Sequence, residues 1–110
     1  MLMKVPQGPY YIYEVKMSKK VNAQHILVKT EEQAREILKE IEQGKSFEEL
    51  ARLKSLCPSG KKGGNLGWFG YGQMVREFQN AAFSLKKGEV SQPVKTQFGW
   101  HLIKVKDTKG

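Results

Sequence analysis

The sequence contains little cysteine and no long hydrophobic run. Cys57 is the one cysteine among 110 residues, which excludes an internal disulfide and a zinc site built from several cysteines. No window approaches the roughly 20 consecutive apolar residues of a membrane-spanning helix, and the first six residues lack the apolar core of a secretory signal. We therefore expect a protein of a reducing compartment, and the cytoplasm fits best.

Motifs for metal and phosphate chemistry are missing as well. The two histidines, His25 and His101, are far apart in the sequence, and no group of histidines or carboxylates has the spacing typical of metal ligands. The glycines form neither a P-loop nor a dinucleotide-binding fingerprint. These absences predict an activity that needs neither a metal ion nor a cofactor.

Acidic residues are scarce relative to basic ones. Eleven Asp and Glu residues stand against 19 Lys and Arg residues, for a formal net charge of +8. The basic surplus is uneven, because residues 30–44 hold two basic and five acidic groups whereas residues 86–110 hold six basic and two acidic groups. A Lys-rich face of this kind is either simply solvated or a weak binding site for an anionic partner such as RNA or lipid.

The length and the 39% hydrophobic content are typical of one folded domain. We predict that residues 17–110 form it. Residues 1–16 differ, because two prolines and a glycine interrupt them ahead of a Tyr-rich run. This leader is either an appended segment or an extra edge strand formed through Tyr10–Val15.

Local patterns predict the first two elements of the domain. Apolar side chains on both faces of Val21–Lys29 indicate a central strand that is buried on two sides. Thr30 and Gln33 have the spacing of a capping box, which starts a helix, and Gly44 ends it.

The remaining elements follow from the same reasoning and give an α+β domain. We predict a second helix from Ser46, a short strand at Leu66–Phe69, a helix at Val75–Ser84, and strands at Val90–Thr96 and Trp100–Lys106. Pro93 places the strand that contains it at a sheet edge. The predicted order is therefore β-α-α-(short β)-α-β-β.

His25 and His101 are the first candidates for a functional role, since both lie inside apolar strands. A buried imidazole needs a hydrogen-bond partner, and a second imidazole can serve as one. Burial would keep such a pair neutral, because desolvation lowers the pKa of histidine. The alternative is that each is an ordinary hydrogen-bonded core residue.

Cys57 has two interpretations. It is either a small buried apolar residue or a reactive thiol whose pKa is lowered by Lys61 or Lys62. A nucleophilic thiol also needs an adjacent base, which His25 or His101 could supply. The sequence alone leaves both interpretations open.

Bulky apolar residues are concentrated beside flexible glycines between residues 60 and 98. They are Leu66, Trp68, Phe69, Met74, Phe78 and Phe98. Most are expected to be core residues. A loop bordered by glycines is also a suitable wall for an apolar pocket that admits a ligand.

Several ordered motifs resemble those of the parvulin-type peptidyl-prolyl cis/trans isomerases. The motifs are His25-Ile26-Leu27-Val28-Lys29, the run CPSGKKGGNLGWF at 57–69, GQMV at 72–75, Glu77-Phe78, and TQFGWH at 96–101. The resemblance extends from about Lys20 to about Lys106. It implies the family's four-stranded antiparallel sheet surrounded by helices, in agreement with the predicted order of elements.

The resemblance also implies which residues form the site. The residues implied to bind substrate are Leu66, Gln73, Met74, Phe78 and Phe98. The residues implied to form the polar catalytic centre are His25, Cys57, Thr96 and His101. Relatives often carry Asp at the position of Cys57, so the resemblance implies catalysis without a covalent intermediate.

One departure from the family bears on the substrate. Members that select phosphoserine or phosphothreonine before proline carry a long Arg-rich loop after the first strand, whereas here Val28-Lys29 leads directly into Thr30. We therefore expect a monomeric isomerase without phosphate selectivity, which acts on proline-containing polypeptides and assists protein folding. A non-catalytic module or chaperone that binds extended apolar peptides in the same pocket is the alternative.

Overall fold

The computed structural model describes residues 20–110 of the chain. Its elements are β1 (Lys20–Val28), α1 (Glu31–Glu42), α2 (Phe47–Lys54), a 3-10 helix (Pro58–Lys62), β2 (Asn65–Gly70), α3 (Arg76–Ser84), β3 (Val94–Thr96) and β4 (Gly99–Lys109). No helix in this range is long and apolar enough to cross a membrane. The predicted leader, residues 1–16, lies outside the described residues, and so does its boundary at residue 17.

The four strands form one antiparallel sheet in the order β2-β1-β4-β3. On one face, Ile26, Val28 and Leu102 pack against α1 and α2. On the other face, Val21, Ala23 and Ile103 form a second core cluster with residues of β2 and α3. The prediction of an α+β fold with β1 as a central strand buried on both sides is therefore confirmed.

The start and end of α1 agree with the local sequence signals. The Thr30 hydroxyl accepts a hydrogen bond from the Gln33 backbone N–H at 3.1 Å, and the Gln33 side chain accepts one from the Thr30 N–H at 3.2 Å. This reciprocal pair is the predicted capping box. Gly44, at φ +101°, follows the helix in the left-handed conformation that glycine adopts readily.

The prediction was wrong for the first half of the strand at Val90–Thr96. Only Val94–Thr96 is regular strand, although Val90 forms an isolated bridge with Lys104. The Ser91 side chain accepts the hydrogen bond of the Ile103 backbone N–H at 3.0 Å, a bond that a backbone carbonyl makes in a regular ladder. Pro93 then has no N–H to donate, so regular pairing begins after it, on the edge strand β3.

Candidate active site

A pocket of about 450 Å³ is lined by residues of β1, β2, α3 and β4 and of the connecting loops. Its lining residues are His25, Leu27, Leu56, Cys57, Pro58, Leu66, Gln73, Met74, Val75, Phe78, Phe98 and His101. Eight of the nine predicted site residues are among them. The exception is Thr96, which does not line the pocket but is hydrogen-bonded to the pocket residue His101. The structure thus brings together positions that are up to 76 residues apart in the sequence.

The pocket wall is apolar where the resemblance places proline binding. Leu66 and Met74 are half-buried and pack on the core cluster that contains the buried Phe78. Gln73 is held beside them, since its side-chain oxygen accepts a hydrogen bond from the Gly70 backbone N–H at 2.6 Å. Phe98 is 61% exposed and forms part of the rim. The wall therefore presents an apolar surface on which a small apolar ring can pack.

A second groove, of about 530 Å³, runs along the solvent-facing side of α1. Its lining residues are Glu31, Glu32, Arg35, Glu36 and Lys39. All five side chains are charged, whereas most residues that line the first pocket are apolar. The candidate site is therefore the smaller apolar pocket.

His25 and His101 form a directly hydrogen-bonded pair on neighbouring strands. Their Nδ1 atoms are 3.0 Å apart, and both residues are buried. The rings lie nearly parallel, with centroids 5.2 Å apart. The Phe78 ring meets both imidazoles edge-on, at 5.5 and 5.3 Å. The predicted pairing of the two histidines is present, and the apolar wall contacts it directly.

The remaining imidazole nitrogens have partners as well. His25 Nε2 lies 3.2 Å from the Ser59 hydroxyl, and His101 Nε2 lies 2.7 Å from the Thr96 hydroxyl. The Thr96 oxygen also accepts a hydrogen bond from the Phe98 backbone N–H at 3.1 Å. These contacts form one continuous chain from Ser59 through both histidines to the turn between β3 and β4.

Burial keeps this chain of groups uncharged. Desolvation, followed by the proximity of His101, lowers the pKa of His25 from 6.5 to about 4. Desolvation also lowers the pKa of His101 from 6.5 to about 4. Near neutral pH each imidazole therefore carries a single proton.

Two neutral imidazoles can satisfy this chain in two ways. If His101 Nδ1 donates to His25, then Thr96 donates to His101 and His25 donates to Ser59. If His25 Nδ1 donates instead, both outer hydrogen bonds reverse, because the hydroxyls of Ser59 and Thr96 can donate or accept. Either arrangement leaves no imidazole nitrogen unpaired, so the pair is fully hydrogen-bonded while both rings stay neutral.

Cys57 lines the pocket and is half-buried. It immediately precedes the 3-10 helix, whose first residue is Pro58. Among the described residues, the Cys57 thiol has no hydrogen bond to either histidine, and the four ring nitrogens are paired with each other and with Ser59 and Thr96. This geometry disfavours the interpretation of Cys57 as a nucleophile with a histidine base.

The loop that carries Ser59 approaches β1 very closely. The Gly64 carbonyl accepts a hydrogen bond from the His25 backbone N–H at 2.9 Å. Gly64 has φ +84°, and a Cβ added there would collide with the His25 carbonyl oxygen. Glycine is therefore required here both for its conformation and for the close contact.

Sequence reasoning missed five residues of the site. Ser59 was not singled out, and neither were the lining residues Leu27, Leu56, Pro58 and Val75. Ser59 reaches His25 across 34 residues of sequence, and no local pattern signals such a contact. Leu27 lies two residues after His25 on the same face of β1, so strand alternation could have placed it beside the pocket.

Comparisons with known proteins agree with this geometry. The family model for the PPIC-type peptidyl-prolyl isomerase domain, or rotamase, matches residues 14–107. The foldase protein PrsA 1 of Bacillus cereus is 57% identical over 90 residues, which cover 81% of this chain and 32% of that protein. The chain spans about a third of the length of the curated PrsA relatives that it matches.

Two solved structures show the same fold. The peptidylprolyl isomerase PrsA of Bacillus anthracis superposes with a TM-score of 0.84 at 43% identity, covering 88% of this chain and 45% of that one. NmPin, the parvulin of Nitrosopumilus maritimus, superposes with a TM-score of 0.73 at 44% identity, covering 79% of this chain and 95% of that one. With the sheet order, the paired histidines and the apolar pocket, these matches show that the chain belongs to the parvulin-type peptidyl-prolyl cis/trans isomerase family.

Proposed function

We propose that this chain accelerates cis/trans rotation about X–Pro bonds in polypeptides and does not require a phosphate on the residue before proline. One observation carries the proposal: an apolar pocket large enough for a pyrrolidine ring borders a buried pair of neutral, hydrogen-bonded histidines. The first part supplies binding for proline. The second part supplies polar groups beside the amide without introducing a net charge.

The reaction requires little chemistry from the protein. Rotation about an amide crosses a barrier of roughly 18–20 kcal/mol, and uncatalysed X–Pro exchange takes roughly 10–100 s. No bond breaks, so catalysis needs only tighter binding of the twisted amide than of either planar form. In our proposal Leu66, Met74 and Phe78 hold the pyrrolidine ring. The apolar surroundings remove water from the amide carbonyl, which weakens the double-bond character of the C–N bond.

A matched pair of leucine variants tests the pocket. Leu66→Ala removes apolar surface from the pocket wall, and we expect kcat/KM for an X–Pro peptide to fall about tenfold. Leu53→Ala changes a leucine that is 71% exposed and outside the pocket, so its kcat/KM should remain at the wild-type value. The measurement is NMR exchange spectroscopy on both isomers. Equal rates for the two variants would contradict the proposed pocket.

The absence of phosphate selectivity is supported by the residues around the pocket. None of its lining residues is Lys or Arg, and β1 is separated from α1 only by Lys29 and the helix cap Thr30. We expect a Ser–Pro peptide and its phosphorylated form to be exchanged at similar kcat/KM. A marked preference for the phosphorylated form, measured in the same assay, would contradict this part of the proposal.

We further propose that the isomerase assists the folding of other polypeptides. Support comes from relatives that are named foldases. In a refolding reaction limited by proline isomerisation, catalytic amounts of the protein should shorten the slow phase. Leu66→Ala should lose most of this effect. If Leu66→Ala assisted refolding as well as the wild-type protein does, a chaperone action independent of isomerisation would be the better explanation.

A weak interaction with anionic surfaces is proposed as a secondary property. Lys20 and Lys109 are paired across β1 and β4, and the Lys109 ammonium lies 4.5 Å from the centre of the exposed Trp68 ring. Lys104 and Lys106 lie on the same strand as Lys109, β4. Binding to anionic lipid vesicles should be detectable at low salt and should disappear near 0.5 M salt, because screening shortens the range of these charges. Absence of binding at low salt would contradict it.

We propose a monomeric state and a cytoplasmic location as well. A single free cysteine is compatible with a reducing compartment. The four exposed large apolar side chains of the described residues include Leu56 and Phe98, which border the proposed substrate pocket and thus have a role without a second subunit. Light scattering and cell fractionation test these points. A dimer, or recovery in the cell envelope, would contradict them.

A further inference from the structure

We propose that Gln24 is a positioning residue for this site and that its side-chain amide fixes the loop that presents Ser59 to His25. The inference rests on the isomerase function proposed above. It adds to the site a residue that does not line the pocket and that neither the motifs nor the spacing of the sequence indicates. Its support is a set of contacts around one buried amide.

The amide of Gln24 joins three parts of the fold. Gln24 lies on β1, is 2% exposed, and precedes His25 directly. Its Nε2 donates to the Gly63 carbonyl at 3.1 Å and to the Glu48 carboxylate of α2 at 2.9 Å. A backbone carbonyl can only accept a hydrogen bond, and so can an ionised carboxylate. Glu48 is kept ionised because its pKa is held below the usual value, chiefly by the hydrogen bond from Gln24. The orientation of the amide is therefore fixed.

Gly63 belongs to the same short loop as Ser59. The loop closes on itself through the Gly64 N–H, which donates to the Ser59 carbonyl at 2.8 Å. It is attached to β1 through the Gly64 carbonyl and the His25 N–H. The bond from Gln24 adds a second attachment one residue earlier. Together these attachments set the position of the Ser59 hydroxyl relative to His25 Nε2, which is 3.2 Å away.

Packing alone does not explain an amide at position 24. Gln24 Oε1 is buried and finds no hydrogen-bond partner among residues 20–110. An unpaired buried carbonyl destabilises a fold, and an apolar side chain of similar size would not carry this penalty. The amide therefore contributes the two hydrogen bonds that its Nε2 donates, and the acceptor of one of them, the Gly63 carbonyl, lies on the loop beside His25.

Two substitutions test whether the hydrogen bonds of the amide position the loop. Gln24→Met keeps the size of the side chain but removes both donors. We expect kcat to fall about fivefold, the effect of losing one positioning hydrogen bond, while KM changes little because Gln24 does not line the pocket. Glu48→Gln is the control, since it removes the carboxylate charge but keeps the side-chain carbons that lie beside Gly63 and an oxygen that can accept from Gln24. Its kcat should remain at the wild-type value.

A spectroscopic readout distinguishes positioning from a general loss of stability. The ¹⁵N shift of His25 Nε2 reports its hydrogen bond to Ser59, so Gln24→Met should move it in the same direction as Ser59→Ala does. Combining Gln24→Met with Ser59→Ala should reduce kcat no further than Ser59→Ala alone. If Gln24→Met does not fold, Gln24→Asn serves instead, because its shorter side chain cannot reach both acceptors.

The possible failures are distinguishable. A folded wild-type protein without exchange activity would overturn the proposed function before any variant is compared. An active wild-type protein whose Gln24→Met variant matches it in kcat and in the His25 signal would overturn only the inference about Gln24. Effects of Gln24→Met and Ser59→Ala that simply add would also overturn it.

Discussion

The histidine pair shows how single residues acquire their properties from burial. Each imidazole alone would be partly protonated near pH 6.5, whereas in the fold both have a pKa of about 4. Their four ring nitrogens are all engaged in hydrogen bonds. We infer that the pair acts as a rigid, neutral, polar element beside the amide.

The lowered pKa values predict how stability depends on pH. In the unfolded chain the two histidines take up protons as the pH falls through 6.5, while in the folded protein they stay neutral until about pH 4. The unfolded state therefore binds more protons between these values, and the free energy of unfolding should decrease as the pH is lowered from 7 to 5. Urea denaturation at a series of pH values measures this decrease.

A variant isolates the contribution of one histidine to this slope. His101→Gln cannot be protonated, so its free energy of unfolding should fall less steeply between pH 7 and pH 5 than that of the wild-type protein. This range lies above the usual titration of carboxyl groups. Identical slopes for the two proteins would show that His101 takes up its proton at the same pH in the folded and unfolded states, which contradicts a lowered pKa.

At the scale of elements, the loop between α2 and β2 depends on glycine at a defined place. Gly64→Ala would place a Cβ against the His25 carbonyl oxygen in a backbone conformation that disfavours side chains. We expect it to destabilise the fold by at least about 2 kcal/mol and to reduce exchange activity. Thermal and urea unfolding provide the measurement.

Gly72→Ala is the control for that substitution. Gly72 also has a positive φ, +97°, but a Cβ added there meets nothing within 4 Å. Gly72→Ala should therefore destabilise the fold only through its unfavourable backbone conformation, by about 1–2 kcal/mol. If Gly64→Ala were no more destabilising than Gly72→Ala, the close approach of the loop to β1 would not be a determinant of the fold.

Elements with local signals could be predicted from the sequence, and those without them could not. The capping box of α1 involves residues three apart, so its pattern is visible in the sequence. The edge strand β3 was predicted but its first residue was not, because regular pairing is interrupted where the Ser91 side chain accepts the Ile103 N–H of β4. The contacts of Ser59 with His25 and of Gly63 with Gln24 span 34 and 39 residues, and only the folded loop reveals them.

At the scale of the whole molecule, the fold brings the ends of the described chain together around one pocket. β1 and β4 lie side by side, which places His25 against His101, and the intervening chain supplies the apolar wall through Leu66, Met74 and Phe78. Resemblance to a family located these residues, since composition alone could not. The basic surplus gave no indication of the pocket, because none of its lining residues is Lys or Arg.

The most direct test of the account is NMR exchange spectroscopy of a short X–Pro peptide with an apolar residue before proline, with and without the folded wild-type protein. Without protein, the cis and trans signals exchange too slowly for cross-peaks, on the scale of roughly 10–100 s. We predict exchange cross-peaks between the isomers at catalytic protein concentrations. Peptide signals that shift on binding but show no accelerated exchange would contradict the isomerase and favour a module that only binds peptides.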